Sequence, residues 1–293
     1  MHPAPSVILF TTLSGLGFGL LFWLGLGFPP VKGWAAFGYF TLAYLLSVGG
    51  LLASVFHLGR PERALRAFTQ WRSSWLSREG VCSVAALLTM AIYGAGLVFL
   101  GQNWTILGVI GAGLSLATVF TTGMIYAQLK TVPRWNTWVT PVLFLAFSIS
   151  GGSLLAGQGT VTLILLLVTA GILLFWWQIG DGAMGASGSN LGTATGLGSI
   201  GRVTQFEAPH TGRNYLLNEF AFEVGRKQAA KLRVIALVAG FAVPTVCLLL
   251  PVSVFGLGIA AVAHFIGVAA SRWLFFAEAE HVTAIYYGKA GAV

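Results

Sequence analysis

The residue types best suited to chemistry in this chain gather in one stretch, His57 to Glu79, which reads H-L-G-R-P-E-R-A-L-R-A-F-T-Q-W-R-S-S-W-L-S-R-E. A His closes one long apolar run, a Glu opens the next, and Arg60, Arg63, Arg66, Arg72 and Arg78 lie between them. An imidazole that titrates near neutrality, beside a carboxylate at the lipid–water boundary, suits a proton acceptor for a lipid-soluble molecule that releases protons on oxidation. Each residue also has a plainer reading. His57 can stabilise a helix C-terminus and Glu79 a helix N-terminus, and the arginines can fix membrane topology.

The flanking elements decide whether the two can meet. Gly59 suits the left-handed position after a helix ending at Leu58, and Pro61 follows where that helix cannot continue, so His57 sits in a last turn. Pro61 and Glu62 are placed to open a short interfacial helix, with Ala64, Leu65, Ala67 and Phe68 toward the bilayer and Arg63, Arg66 and Arg72 toward water or a partner. Ser74 and Ser77 are both competent N-caps for the next helix, which puts Glu79 near its start. Antiparallel helices joined by such a turn bring their facing ends to one membrane surface, and with them His57 and Glu79.

Composition sets the solvent. Of 293 residues 56% are hydrophobic and 8% are charged, far below the ~25% charged residues of an ordinary soluble domain. The apolar runs are continuous and of about 20 residues each, which predicts an all-α integral membrane protein rather than a barrel. Eight spans are expected, at about 7–27, 36–58, 79–100, 104–126, 139–156, 160–178, 232–250 and 253–276, in a single polytopic domain with a long loop at 179–230. The apolar run near Met1 lacks a basic leader and reads as a first retained span. Of the 16 Lys and Arg, only Lys32 falls in an odd-numbered loop. Both termini and the even loops, including the long one between helices six and seven, are therefore expected in the cytoplasm, with the chain in the inner (plasma) membrane.

The net charge of +8 sits beside apolar runs and has no soluble basic domain around it, so nucleic acid is not expected as a partner. Cys82 and Cys247 are too few and too far apart for a cluster or a structural zinc site, and read as core residues. His264 lies mid-span and lacks the second intramembrane His at matching depth that a haem would need, so it reads as a satisfied bundle residue. Gly196, Gly198 and Gly201 spell G-x-G-x-x-G with no strand before them, which removes the dinucleotide reading.

Glycine is frequent inside the spans, with Gly15 and Gly19, and Gly108, Gly111 and Gly113, placed for close helix approach. The ten tryptophans cluster near span ends, as an aromatic belt would. The first half of the long loop is rich in Gly and Ser and reads as flexible. Its second half, Asn214 to Lys231, reads as an amphipathic helix lying on the membrane or receiving a partner.

Five ordered motifs carry a resemblance over nearly the whole chain. They are H-L-G-R-P-E-R-A (57–64), L-S-R-E (76–79), Y-A-Q-L-K-T-V-P-R-W (126–135) with W-x-T-P (138–141), H-T-G-R-N-Y-L-L-N-E-F (210–220) and R-W-L-F-F-A-E-A-E-H-V (272–282). Together they resemble the membrane-anchor subunit of dimethyl sulfoxide reductase and its relatives, the long loop looking closer to the sulfite dehydrogenase branch. The resemblance implies eight helices that hold a molybdopterin catalytic subunit and a four-cluster iron–sulfur subunit at the membrane. It implies electron exchange with menaquinone or ubiquinone, and no haem or iron–sulfur cluster in this chain. The family's quinol-site His and glutamate fall on His57 and Glu79. Arg60 is the next expected quinone contact, and Arg63, Arg66, Arg72, Arg213, Asn214 and Tyr215 are expected to dock the partner. The rival readings are a secondary transporter, which usually carries ionisable groups near the midplane, and a passive scaffold without a quinone site.

Overall fold

A run of apolar residues with no charge in it has one way to satisfy its backbone in lipid, and this chain takes it repeatedly. The computed structural model describes residues 2–56, 60–207, 228–251 and 254–287. Helix α1 is Pro5–Gly25, α2 Gly33–Val55, α3 Trp75–Leu100, α4 Thr105–Ala127, α5 Val139–Leu155 and α6 Gly159–Asp181. Two short helices follow, α7 (Ala183–Ala186) and α8 (Leu191–Thr195), then α9 (Ala229–Leu249) and α10 (Val254–Ala277). Seven of these are long and apolar enough to cross a membrane, and the 17-residue α5 is a shorter apolar helix. Short 3₁₀ helices at Pro61–Phe68 and Val282–Tyr287 complete the described residues.

Helix α1 is the hub, packed against α2, α4 and α5. Close approach replaces hydrophobic exclusion as the cohesive device, because lipid is as apolar as leucine. Gly19 meets the Ser148 carbonyl and Gly152 meets Gly19, so a Cβ on either would overlap backbone of the facing helix. Of the glycines singled out in the sequence, Gly19 and Gly108 make such contacts and Gly111 packs on the Met90 side chain, whereas Gly15 and Gly113 face open space. Gly19→Val is expected to destabilise by about 1–3 kcal/mol through overpacking. Lower accumulation in membranes and a lower melting temperature in detergent would show it, and wild-type values would contradict the α1–α5 seam.

An aromatic core lies at the end of the bundle that carries the even-numbered loops. Phe275 is stacked between Trp135 at 5.1 Å and Trp176 at 5.2 Å, and Trp135 Nε1 donates to the Phe275 carbonyl. Trp135, Trp176 and Trp177 are therefore buried, while Trp34 and Trp138 are exposed as belt residues would be. The indole N–H groups of Trp135 and Trp176 find interior acceptors, Thr140 Oγ1 being that of Trp176, and this lets rings expected at the interface become core.

The stretch after α6 departs from the flexible segment its composition suggests. Asn190 caps α8 through Thr193 in a reciprocal capping box, Tyr286 Oη donates to the Ala194 carbonyl, and Gln205 donates to that of Tyr286. Local side-chain caps and a dock on the C-terminal 3₁₀ helix thus supply the order that Gly and Ser lack on their own. The expected amphipathic helix at 214–231 lies outside the described residues except for its end, which is the start of α9.

Candidate functional site

Ser74 is the N-cap of α3, accepting from the Ser77 amide at 3.4 Å, which fixes where the helix starts and places Glu79 one turn inside it. The Ser77 hydroxyl donates to the Ala67 carbonyl, and the Phe68 ring lies against Gly80. These contacts seat the 3₁₀ helix Pro61–Phe68 on the first turns of α3. Arg78 is taken up in the same turn, with Nε on the Trp71 carbonyl at 3.0 Å, a second nitrogen on the Arg72 carbonyl at 2.7 Å, and its guanidinium over Trp75.

Glu79 is 5% exposed. The Thr122 hydroxyl of α4 donates to its Oε1, and Thr122 is held in turn by the Thr118 carbonyl. Among the described residues no cation pairs with this carboxyl. The carboxyl therefore lacks the ion pair that would lock it in the charged form.

Further along α3, between Phe37 and Leu52 of α2 and Ala91 and Phe99 of α3, lies an apolar groove of about 590 Å³ on the outer surface of the bundle, its nearest α3 residue twelve positions, roughly 18 Å, beyond Glu79. Tyr44 Oη donates to the Leu87 carbonyl, and Phe40 packs on Tyr93 and Gly94. The groove runs along α2 toward the end that leads to His57.

Of the residues singled out in the sequence, Glu79 is placed as expected, in a helix start under the arginine-bearing turn. Arg60, Arg63, Arg66 and Arg72 are exposed on that turn, with Leu65 81% exposed beside them. His57, Arg213, Asn214 and Tyr215 lie outside the described residues. His264 is buried, with Nδ1 2.7 Å from the Gly240 carbonyl and Nε2 unpartnered. That carbonyl belongs to a π-turn at Val238–Ala242, which interrupts the regular ladder of α9. Cys82 and Cys247 are free thiols, and no metal-binding cluster occurs among the described residues.

Three cations counted with the even loops are buried or partly buried instead. Arg134 bridges Asp181 at 2.9 Å and Glu278 at 2.6 Å, and Arg233 bridges the same two acids at 2.6 and 2.8 Å. Two cations and two carboxylates from four chain segments thus neutralise one another at helix ends. Burial pushes the Glu278 carboxyl above the ordinary carboxylate range, with Arg134 and Arg233 pulling against it. The third, Arg272 of α10, is 2% exposed, with its guanidinium 3.6 Å above the Phe144 ring. The string R-W-L-F-F-A-E-A-E holds Arg272 and Glu278, but nothing in it points to Arg134 or Arg233.

A polytopic helical membrane protein with its ionisable groups gathered at one end, and its span centres almost free of charge, has the form of an anchor rather than of a transporter. The family profile "DMSO reductase anchor subunit (DmsC)" matches residues 2–192, and the chain belongs to that family. Among curated relatives it is 32% identical to the C subunit of the sulfite dehydrogenase of Allochromatium vinosum, over 98% of this chain and 99% of the relative. It is 31% identical to "Anaerobic dimethyl sulfoxide reductase chain YnfH" of Escherichia coli K12, over 53% of this chain and 56% of that one. No solved structure matches.

Proposed function

We propose that the chain is the quinone-reactive membrane anchor of a molybdopterin oxidoreductase, passing electrons between the quinone pool and a partner iron–sulfur subunit. The carrying observation is Glu79, a buried carboxyl without a counter-ion among the described residues, at the start of α3 under the arginine-bearing turn, on the same helix that further along encloses, with α2, an apolar groove. The groove matches an isoprenoid tail in character, and the short stretch from His57 to Glu79 sets a His, a Glu and five arginines between two spans. The near full-length likeness to the anchor-family member of a sulfite dehydrogenase supports that branch of the family.

In this reading menaquinol or ubiquinol enters from the bilayer along α2 and α3. Its hydroxyl protons pass to His57 and Glu79, and its two electrons pass to the nearest cluster of the iron–sulfur subunit docked on the even loops. The reverse flow uses the same groups as proton donors. Arg60 stabilises negative charge on the quinone, and Arg63, Arg66, Arg72 and the 213–215 segment receive the partner. The molybdopterin subunit lies beyond it. Helix α5 serves as the eighth span, and the even loops and both termini face the cytoplasm.

Purification under mild detergent tests the reading. The anchor is expected to bring down an iron–sulfur protein, a molybdopterin protein and lipid-extractable quinone. Partners without quinone would leave a passive scaffold, and neither partners nor quinone would favour a transporter.

A further inference from the structure

Helix α9 carries a buried proline, Pro244, inside a membrane span. In a regular helix the Gly240 carbonyl would accept from the amide four residues on. That residue is Pro244, which has no N–H and whose ring crowds the same carbonyl. The helix responds with the π-turn Val238–Ala242 directly before the proline, where the Val243 amide reaches back five residues to the Val238 carbonyl. The carbonyl of Gly240 then needs a donor from outside its own helix, in surroundings where lipid offers none.

Helix α10 supplies one. His264 Nδ1 lies 2.7 Å from the Gly240 carbonyl. A carbonyl only accepts, so Nδ1 carries the imidazole proton and Nε2 the lone pair. The seat of the ring, 1% exposed, is built by α9, α10 and α5. Gly267, one turn after His264, closes on Gly240 so tightly that a Cβ there would overlap the α9 backbone. The Phe241 ring meets the imidazole edge-on at 6.3 Å. On the α5 side a Cβ at Gly151 would stand 3.0 Å from Nε2, so the glycine leaves room for the ring.

Space-filling does not account for a histidine here. Leucine fills a similar volume and brings no polar atom into the core, whereas the imidazole buries an Nε2 that has no hydrogen-bond partner. What the imidazole adds is the donor at Nδ1, aimed at the one carbonyl whose helical donor the sequence has removed.

We infer that His264 is a positioning residue that stands in for the amide missing at Pro244: its Nδ1–H takes over the Gly240 carbonyl and latches a joint in α9. Proline and a π-turn are usual sites of helix bending, and the cross-bond from α10 ties that weak point to its neighbour. The half of α9 before the joint carries Arg233, seven residues or about two turns from Gly240. The latch thus lies between the middle of the span and the quartet that Arg233 completes.

The test is a double-mutant cycle in the full-length chain, read by thermal unfolding in detergent. His264→Leu is expected to lower the melting temperature by about 2–10 °C, the effect of one unsatisfied buried carbonyl in a chain of this size. Pro244→Ala restores an amide at that position, so the Gly240 carbonyl regains a donor from its own helix. In that background His264→Leu should lower the melting temperature by less than half as much. A residue that merely fills space would cost the same in both backgrounds, so additive shifts overturn the inference, as does a wild-type melting temperature in His264→Leu. If His264→Leu does not accumulate in membranes, the Pro244→Ala/His264→Leu pair must, and a pair as scarce as the single variant overturns the latch.

Discussion

Glu79→Gln, in a complex that still assembles, is expected to lower quinol-dependent turnover by about 10²- to 10⁴-fold, the range for loss of a positioned proton acceptor. His57→Ala is expected to fall in the same range. The glutamine substitution is the informative one because it changes so little else. Glutamine has the volume of glutamate and keeps an oxygen for the Thr122 hydroxyl, so the α3–α4 contact remains. It also removes a buried ionisable group, which costs the fold nothing and can relieve it. What disappears is the ability to take a proton. Activity with an artificial donor that reaches the partner subunits directly reports whether the complex has formed. Quinol turnover that survives in both variants, with that control intact, would move the site elsewhere.

Glu278→Ala carries the largest expected effect on stability, about 3–5 kcal/mol, the cost of leaving a buried charge without its partner. The Arg134 side chain is 8% exposed and makes its shorter bridge to Glu278, at 2.6 Å. Asp181, its other acid, is 48% exposed, so solvent screens that bridge more strongly. Alanine removes the carboxylate and opens space beside Arg233 as well. Glu278→Gln, which retains oxygen and volume, should cost less than alanine. Thermal unfolding in detergent, followed by tryptophan fluorescence because Trp176 and Trp177 lie under the two arginines, reads both. Equal melting temperatures for wild type and Glu278→Ala would make the quartet a surface ornament.

The spans were legible because a lipid-crossing helix announces itself by length and apolarity. Span two, read at 36–58, and α2 at Gly33–Val55 differ only at their ends, where Gly59 and Pro61 signal a stop but do not set its residue. Glu79 was legible for a related reason: a carboxylate at the start of an apolar run is conspicuous, and Ser74 marks that start. Arg272 was not. As a lone arginine at the end of a span it looks like every topology-setting cation, and only the stacking of Phe144 from a different helix reveals that it points inward. The Arg134 quartet was hidden likewise, since its members lie in four separate segments and no periodicity links them. Trp135 and Trp176 misled in the opposite direction, because the position of an indole near a span end says nothing of whether its N–H finds an interior acceptor.

The quartet also has an order in time. Arg134 and Glu278 are 144 residues apart in sequence, and Arg233 reaches both acids only after α9 has formed. During synthesis Arg134 therefore emerges with no acid beside it, gains Asp181 when α6 is complete, and is satisfied only once α10 has been threaded. The network closes only when Glu278 emerges, so a protein cut between Arg233 and Glu278 leaves two arginines sharing the half-exposed Asp181 alone.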